Sequence, residues 1–152
     1  MWQNNEGAKR HWELSDEVIG GCIEVHQHLG PGLLESAYQQ CLCHELSLRG
    51  VLFEQQRPVP VVYKGVRLEC GYRLDLVVED RIVVELKVVE RLLPVHKAQV
   101  ITYLNLTGLD VGLLVNFNVP VLRDGIRQAW SPPRLPASLL IDPDGGGQEP
   151  NC

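Results

Sequence analysis

The sequence predicts an α/β domain, with one mixed central β-sheet flanked by α-helices. Three observations predict it. Residues 14–49 carry apolar side chains at helical spacing on either side of a Gly-Pro-Gly break. Residues 52–89 are rich in β-branched residues and are divided by prolines and turn signals. A further helix and two more strands follow. Helices first, strands in the middle and one helix between strands is not the alternation of a doubly wound repeat.

Each element has its own signal. Ser15 is placed to cap a first helix, with Leu14 and Ile19 as a hydrophobic staple. Val18, Cys22, Val25 and Leu29 continue it to Gly30, where "LGPGLLE" redirects the chain. A second helix is expected over Leu33–Arg49, closed by Gly50. Leu34, Tyr38, Cys41 and Glu45 share one of its sides. Leu52–Arg57 and Val59–Tyr63 read as strand pieces, and Pro58 and Pro60 mark an edge or a bend. "YKGV" is a turn between the second piece and a long strand, Arg67–Val78. Ile82–Val89 pairs with that strand. Pro94 opens a helix ending near Leu106, and Val111–Asn116 and Val121–Trp130 complete the sheet. Residues 1–13 read as a flexible arm, 14–130 as the folded domain and 131–152 as a disordered tail rich in Pro and Gly.

Composition narrows the function classes. The chain has 152 residues, 45% hydrophobic and 22% charged, ordinary values for a soluble globule with a real core. No apolar run reaches the roughly 20 residues a membrane span needs, and the first residues hold no secretory apolar segment. No membrane partner and a cytoplasmic location are the expectation. The net charge of −5 argues against a nonspecific DNA-coating protein, but leaves room for a local basic rim. Five cysteines, an odd number without a C-x-x-C pair, form no disulfide framework. Cys41, Cys43 and His44 lie close together but lack the spacing and the fourth ligand of a zinc site. Reduced thiols on a packed helix are the reading.

The chemistry concentrates between Arg73 and Leu104. Asp75, Glu85, Lys87 and Gln99 stand there among valines and leucines. Strand alternation sets Val83, Glu85, Lys87 and Val89 on one face, and Arg73, Asp75 and Val77 together on the neighbouring strand. Whether the two acids meet depends on the turn. A two-residue loop would send them to opposite faces. A three-residue loop, Glu79 to Arg81, sets Val78 against Ile82 and Asp75 against Glu85. The three-residue form is expected, with one non-glycine residue in a left-handed conformation. On the next helix, Val95, Ala98, Gln99, Thr102 and Leu106 form the stripe expected to face the sheet, with Tyr103 one turn after Gln99. Two hard carboxylates beside an ammonium suit Mg²⁺ or Mn²⁺ and phosphodiester hydrolysis. The same Glu–Lys spacing also occurs on ordinary solvated strands.

These residues resemble a known set. "GLLESAY" is similar to the signature of the GxxExxY protein family at Gly32, Glu35 and Tyr38. Asp75, the run Glu85-Leu86-Lys87, and Gln99 with Tyr103 resemble the PD-(D/E)XK nuclease superfamily and the Q-x-x-x-Y motif of its RecB-type branch. The likeness spans residues 14–130. It implies a restriction-endonuclease-like core, with Asp75 and Glu85 as the principal metal ligands and Glu35 as a further acidic residue of the metal site. It implies Lys87 as the catalytic lysine, Gln99 as support for the site, and Tyr103 in contact with the site or the nucleic acid. The proline that often precedes the superfamily aspartate is replaced by Leu74.

Nearby residues carry plainer readings. Tyr38 reads as core, and His26, beside His28, as a packed or capping residue. Arg73 either steers phosphate or pairs with a carboxylate. Arg91, His96 and Lys97 form a solvated loop or a small basic rim. Two functions follow. One is a metal-dependent nuclease acting on DNA. The other is a non-catalytic homo-oligomer on the same fold, since Leu92, Leu93, Ile101, Leu104 and Leu106 are more apolar surface than one sheet face needs.

Overall fold

A computed structural model describes residues 11–131. The elements are α1 (His11–Leu29), α2 (Glu35–Leu48), β1 (Phe53–Tyr63), β2 (Val66–Val78), β3 (Ile82–Lys87), α3 (Pro94–Thr107), β4 (Val111–Asn116) and β5 (Ile126–Trp130). A short 3-10 turn precedes β5. The sheet order is β1-β2-β3-β4-β5. Only β3 and β4 run parallel, joined across α3, so the sheet is mixed as expected.

The sheet separates two cores. On one face, α1 and α2 cover Leu76, Val78, Ile82, Val84, Leu113 and Val115. On the other, α3 alone covers Val77, Val83, Leu114 and Ala129 with Val100, Tyr103 and Leu104. A Cβ on Gly112 of β4 would meet the Val100 side chain at 2.5 Å, so α3 seats closely there because that position has none. This is an α/β/α sandwich, consistent with the restriction-endonuclease-like expectation.

Several boundaries and phases differ from expectation. α1 already includes His11, and Ser15 lies buried inside it rather than capping it. Leu14 and Val18 are both fully buried one turn apart, so the apolar stripe runs through the serine, and Leu14 is helix rather than staple. Residues 11–13 thus belong to the helix. The remainder of the expected arm, 1–10, and the tail beyond 131 lie outside the described residues. α2 buries Tyr38, Leu42, Cys43 and Leu46, whereas Leu34 is exposed. The expected side was rotated from the one that Leu42 and Leu46 turn inward. On α3, the expected sheet-facing stripe is largely outward. Val95, Ala98, Thr102 and Leu106 are exposed, and Val100, Tyr103 and Leu104 face the sheet. A helix apolar nearly all round has no phase of its own, and the close seat over Gly112 selects one.

The hairpin carries the features that place the site. β1 is a single edge strand, with a register shift between Val59 and Val61 around Pro60. Tyr63 and Val66 close it across Lys64 and Gly65, both at positive φ. At the other end, Val78 pairs with Ile82 across the expected three-residue loop. Both Glu79 and Asp80 are left-handed there, at φ 49° and 54°, where one such residue was expected. Asp80 is held by an ion pair to Arg57 at 2.8 Å, and aspartate tolerates this region better than most side chains. α1 and α2 are tied by Arg49, which bonds Glu45 at 2.9 Å and Glu17 at 3.2 Å.

Candidate active site

The β2–β3 ladder stops at Leu76 and Val84. In the continuation of that register Asp75 faces Glu85, and there the side chains replace the backbone ladder. The Asp75 amide donates to Glu85 Oε1 at 3.1 Å, and the Leu86 amide donates to Asp75 Oδ2 at 2.9 Å. The strand is distorted to permit this. Gln56, across from Asp75, has φ 51°, and Leu74 and Val77, three residues apart, both join the α3-side core. Two acids facing each other would repel. Here each is held by a backbone N–H, which disperses part of the charge.

Burial sharpens the electrostatics. Glu85 is 4% exposed, and Asp75 and Lys87 are half-buried. Burial first, and the Asp75 charge second, push the Glu85 carboxyl up to about 8, against an opposing pull from Lys87. Glu35, the first residue of α2, is raised by its own partial burial and by Asp75, with Lys87 opposing. From the α3 side, burial and the Glu85 charge raise the Tyr103 hydroxyl. Gln99 Nε2 donates to that hydroxyl at 3.1 Å. The acid pair is therefore felt from both helical layers.

Asp75 and Glu85 are brought together, Lys87 lies beside them, and Gln99 and Tyr103 form one wall. Glu35 faces the pair electrostatically but does not complete a carboxylate cluster. Among the described residues no three His, Cys, Asp or Glu side chains converge as a metal-binding group. Glu35 is exposed at the first turn of α2, in the layer above the strands, where its charge couples to Asp75 and Lys87. Tyr72 touches Tyr103 and Leu74 enters the α3-side core, so Arg73 between them lies on the face of β2 opposite α3. It is exposed and reaches the Gln56 carbonyl at 3.5 Å. The acid pair fits a hard divalent cation. Mg²⁺ characteristically takes one or two carboxylates and keeps water on its other positions, and the mutual repulsion of Asp75 and Glu85 favours a cation between them.

The bland readings mostly hold. Tyr38 is fully buried and stacks on Phe117 at 4.5 Å. Its hydroxyl donates to the Gly30 carbonyl at 2.5 Å and accepts the Leu33 amide at 3.2 Å, so it shapes the turn that delivers Glu35. His26 is buried and bonds the Val119 carbonyl at 2.8 Å, a packing role. His96 Nδ1 accepts the Leu93 amide at 2.9 Å at the start of α3. Cys22 and Cys43 are buried thiols.

Two residues escaped the sequence reading. Asn116, 1% exposed at the end of β4, grips Val89 on both sides. Its Oδ1 accepts the Val89 amide at 3.1 Å and its Nδ2 donates to the Val89 carbonyl at 2.9 Å. The Phe117 amide also donates to the Lys87 carbonyl at 3.0 Å. Together they fasten the backbone that carries Lys87. The one available signal was an asparagine closing the otherwise apolar "VGLLVN". Tyr72, with its ring 6.3 Å from that of Tyr103, had no signal, because its facing depends on the irregular β1–β2 pairing.

An α/β/α sandwich with an acid pair at the parting of its central strands, and a lysine two residues on, defines a nuclease-like domain. The chain belongs to the PD-(D/E)XK nuclease superfamily, whose sequence pattern matches residues 12–129. No curated protein and no solved structure matches it. Among the described residues, no helix is long and apolar enough to cross a membrane.

Proposed function

We propose that the chain is a divalent-metal-dependent phosphodiesterase acting on DNA, and that it falls within the GxxExxY family of its superfamily. The observation that carries the activity is the Asp75–Glu85 pair, cross-linked through backbone amides with Lys87 beside it. Gly32, Glu35 and Tyr38 support the family placement, since Tyr38 shapes the turn before Glu35. Asp75 and Glu85 would hold Mg²⁺ or Mn²⁺. When bound, that ion polarises a phosphoryl oxygen and lowers the pKa of water. Lys87 presents its ammonium where negative charge develops on the phosphate. Glu35 biases the charge balance from the α2 side, and Gln99 holds the Tyr103 hydroxyl on the α3 side. The test is cleavage of single- and double-stranded DNA with Mg²⁺ or Mn²⁺. The wild type cleaves, and Asp75→Ala and Lys87→Ala lose cleavage by at least about 100-fold. Equal cleavage by all three proteins, or none by the wild type, ends the reading.

A second reading, a homo-oligomer on the nuclease fold, is favoured by one observation. Val62, Tyr63, Val66 and Leu68 at the hairpin tip are all exposed. Its original basis shrinks, because Leu104 is fully buried and Leu92 and Ile101 pack on the α3-side core. Native mass spectrometry decides it. A monomer at micromolar concentration removes it.

A further inference from the structure

The distal half of the β1–β2 hairpin extends past the end of β3, and one of its faces turns toward the outer side of α3. Val59 is buried on that face against α3, and Tyr72, its cross-strand partner, tilts its ring against Tyr103. Between hairpin and helix lies a groove of about 700 Å³, lined by Val61 and Tyr72 on one wall and Val95, Gln99, Tyr103 and Leu106 on the other. That volume falls in the range of roughly 300–1,000 Å³ that holds small organic ligands. The lining is largely apolar and aromatic, with a few polar groups, Gln99, Thr102 and His96 among them. Tyr103 belongs to this groove and also senses the Asp75 and Glu85 charges, so groove and acid pair share a wall.

We propose that this groove is a nucleobase subsite: an unpaired base of a polynucleotide strand lodges against Tyr72 and Tyr103 while its phosphodiester lies at the acid pair. The proposal rests on the phosphodiesterase reading and names the form of its substrate. Two considerations select this occupant. Duplex nucleic acid presents phosphates outward and stacks its bases inward, so it offers nothing apolar to such a groove, whereas an unpaired base offers a π-face to any aromatic ring. The chain segments that carry the two walls are net basic, which suits a polyanion. Residues 60–72 hold Lys64 and Arg67 against Glu69, and residues 87–107 hold Lys87, Arg91 and Lys97 against Glu90, in a chain of net charge −5.

The experiment is fluorescence anisotropy with labelled oligothymidylate, oligouridylate and a blunt DNA duplex, in Ca²⁺ buffer, on the full chain. Wild type, Tyr72→Ala, Tyr72→Phe and Leu106→Glu are compared, each with its circular dichroism and native mass. Wild type is expected to hold at least one of the two single strands about 10-fold or more tighter than the duplex. Tyr72→Ala weakens that binding by about 5- to 100-fold, Tyr72→Phe restores it, and Leu106→Glu weakens it from the opposite wall. The DNA and RNA probes separate the two sources of such a strand. Equal affinity for duplex and single strand, or unchanged binding by folded Tyr72→Ala, overturns the subsite. So does a dimer that Tyr72→Ala converts to monomer, since a second copy would then own the groove. If single strands bind as described but no DNA is cleaved, the subsite stands and the activity fails. If Asp75→Ala abolishes cleavage while Tyr72→Ala changes nothing, the reverse holds.

Discussion

The β1–β2 hairpin has two halves of similar sequence and opposite fate. At its root, Leu76, Val77 and Val78 are buried, with β3 beside them and helices on both faces. At its tip, Val62, Tyr63, Val66 and Leu68 are exposed, with β1 and β2 pairing only to each other. The residue types barely differ, but the neighbours do. Apolar strands become core only where a third strand and a helix layer arrive to cover them. The acid pair sits at the boundary between the two halves, where the β2–β3 ladder ends. It has enough cover to desolvate Glu85, while Asp75 and Lys87 stay half-buried.

The widest measurable gap between the halves is in thiol chemistry. Cys70 is exposed on the distal half. Cys22 and Cys43 lie in the α1–α2 core that covers the root, and burial raises their thiols, to about 12 and about 11. A raised thiol value leaves less of the reactive thiolate at pH 8. Native protein treated with a disulfide reagent should label Cys70 at least about 100-fold faster than Cys22 or Cys43, as read by peptide mass. Comparable rates would show that the α1–α2 core opens readily.

Stability should divide the same way. Leu76→Ala is expected to lower unfolding free energy by about 2–5 kcal/mol, and Val66→Ala to stay within about 0.5 kcal/mol, both by urea titration. A large effect at Val66 would mean that the tip is covered in solution.

The boundary itself should respond to pH. An acid whose folded value is raised keeps its proton in the fold. The contribution of Glu85 to stability is therefore full below about 4.5 and is lost as pH rises toward about 8. In metal-free buffer Glu85→Gln should flatten that fall, by on the order of 2 kcal/mol. An unchanged slope would place the buried charge elsewhere.

Asn116→Ala removes both bonds to Val89 and should destabilise by about 1–2 kcal/mol, with faster amide exchange at Val89. Unchanged exchange there would show that the clamp is redundant.

Much of this molecule was legible as sequence. Strand alternation and the turn between Val78 and Ile82 placed Asp75, Glu85 and Lys87 together, because both rules act between near neighbours in the chain. Pro58 and Pro60 marked β1 as the edge strand, because a residue without an N–H cannot serve an interior ladder.

What escaped were matters of phase and cover. The outward stripe of α3 was settled by a glycine on a strand that pairs elsewhere. Leu74 and Val77 came to share a face across the hairpin from a left-handed Gln56, and Glu35 meets the acid pair as a charge from the α2 layer. Local periodicity thus determined the elements and the central acid pair. Tertiary packing decided which sides are covered, since burial is a property of two surfaces and a sequence displays only one at a time.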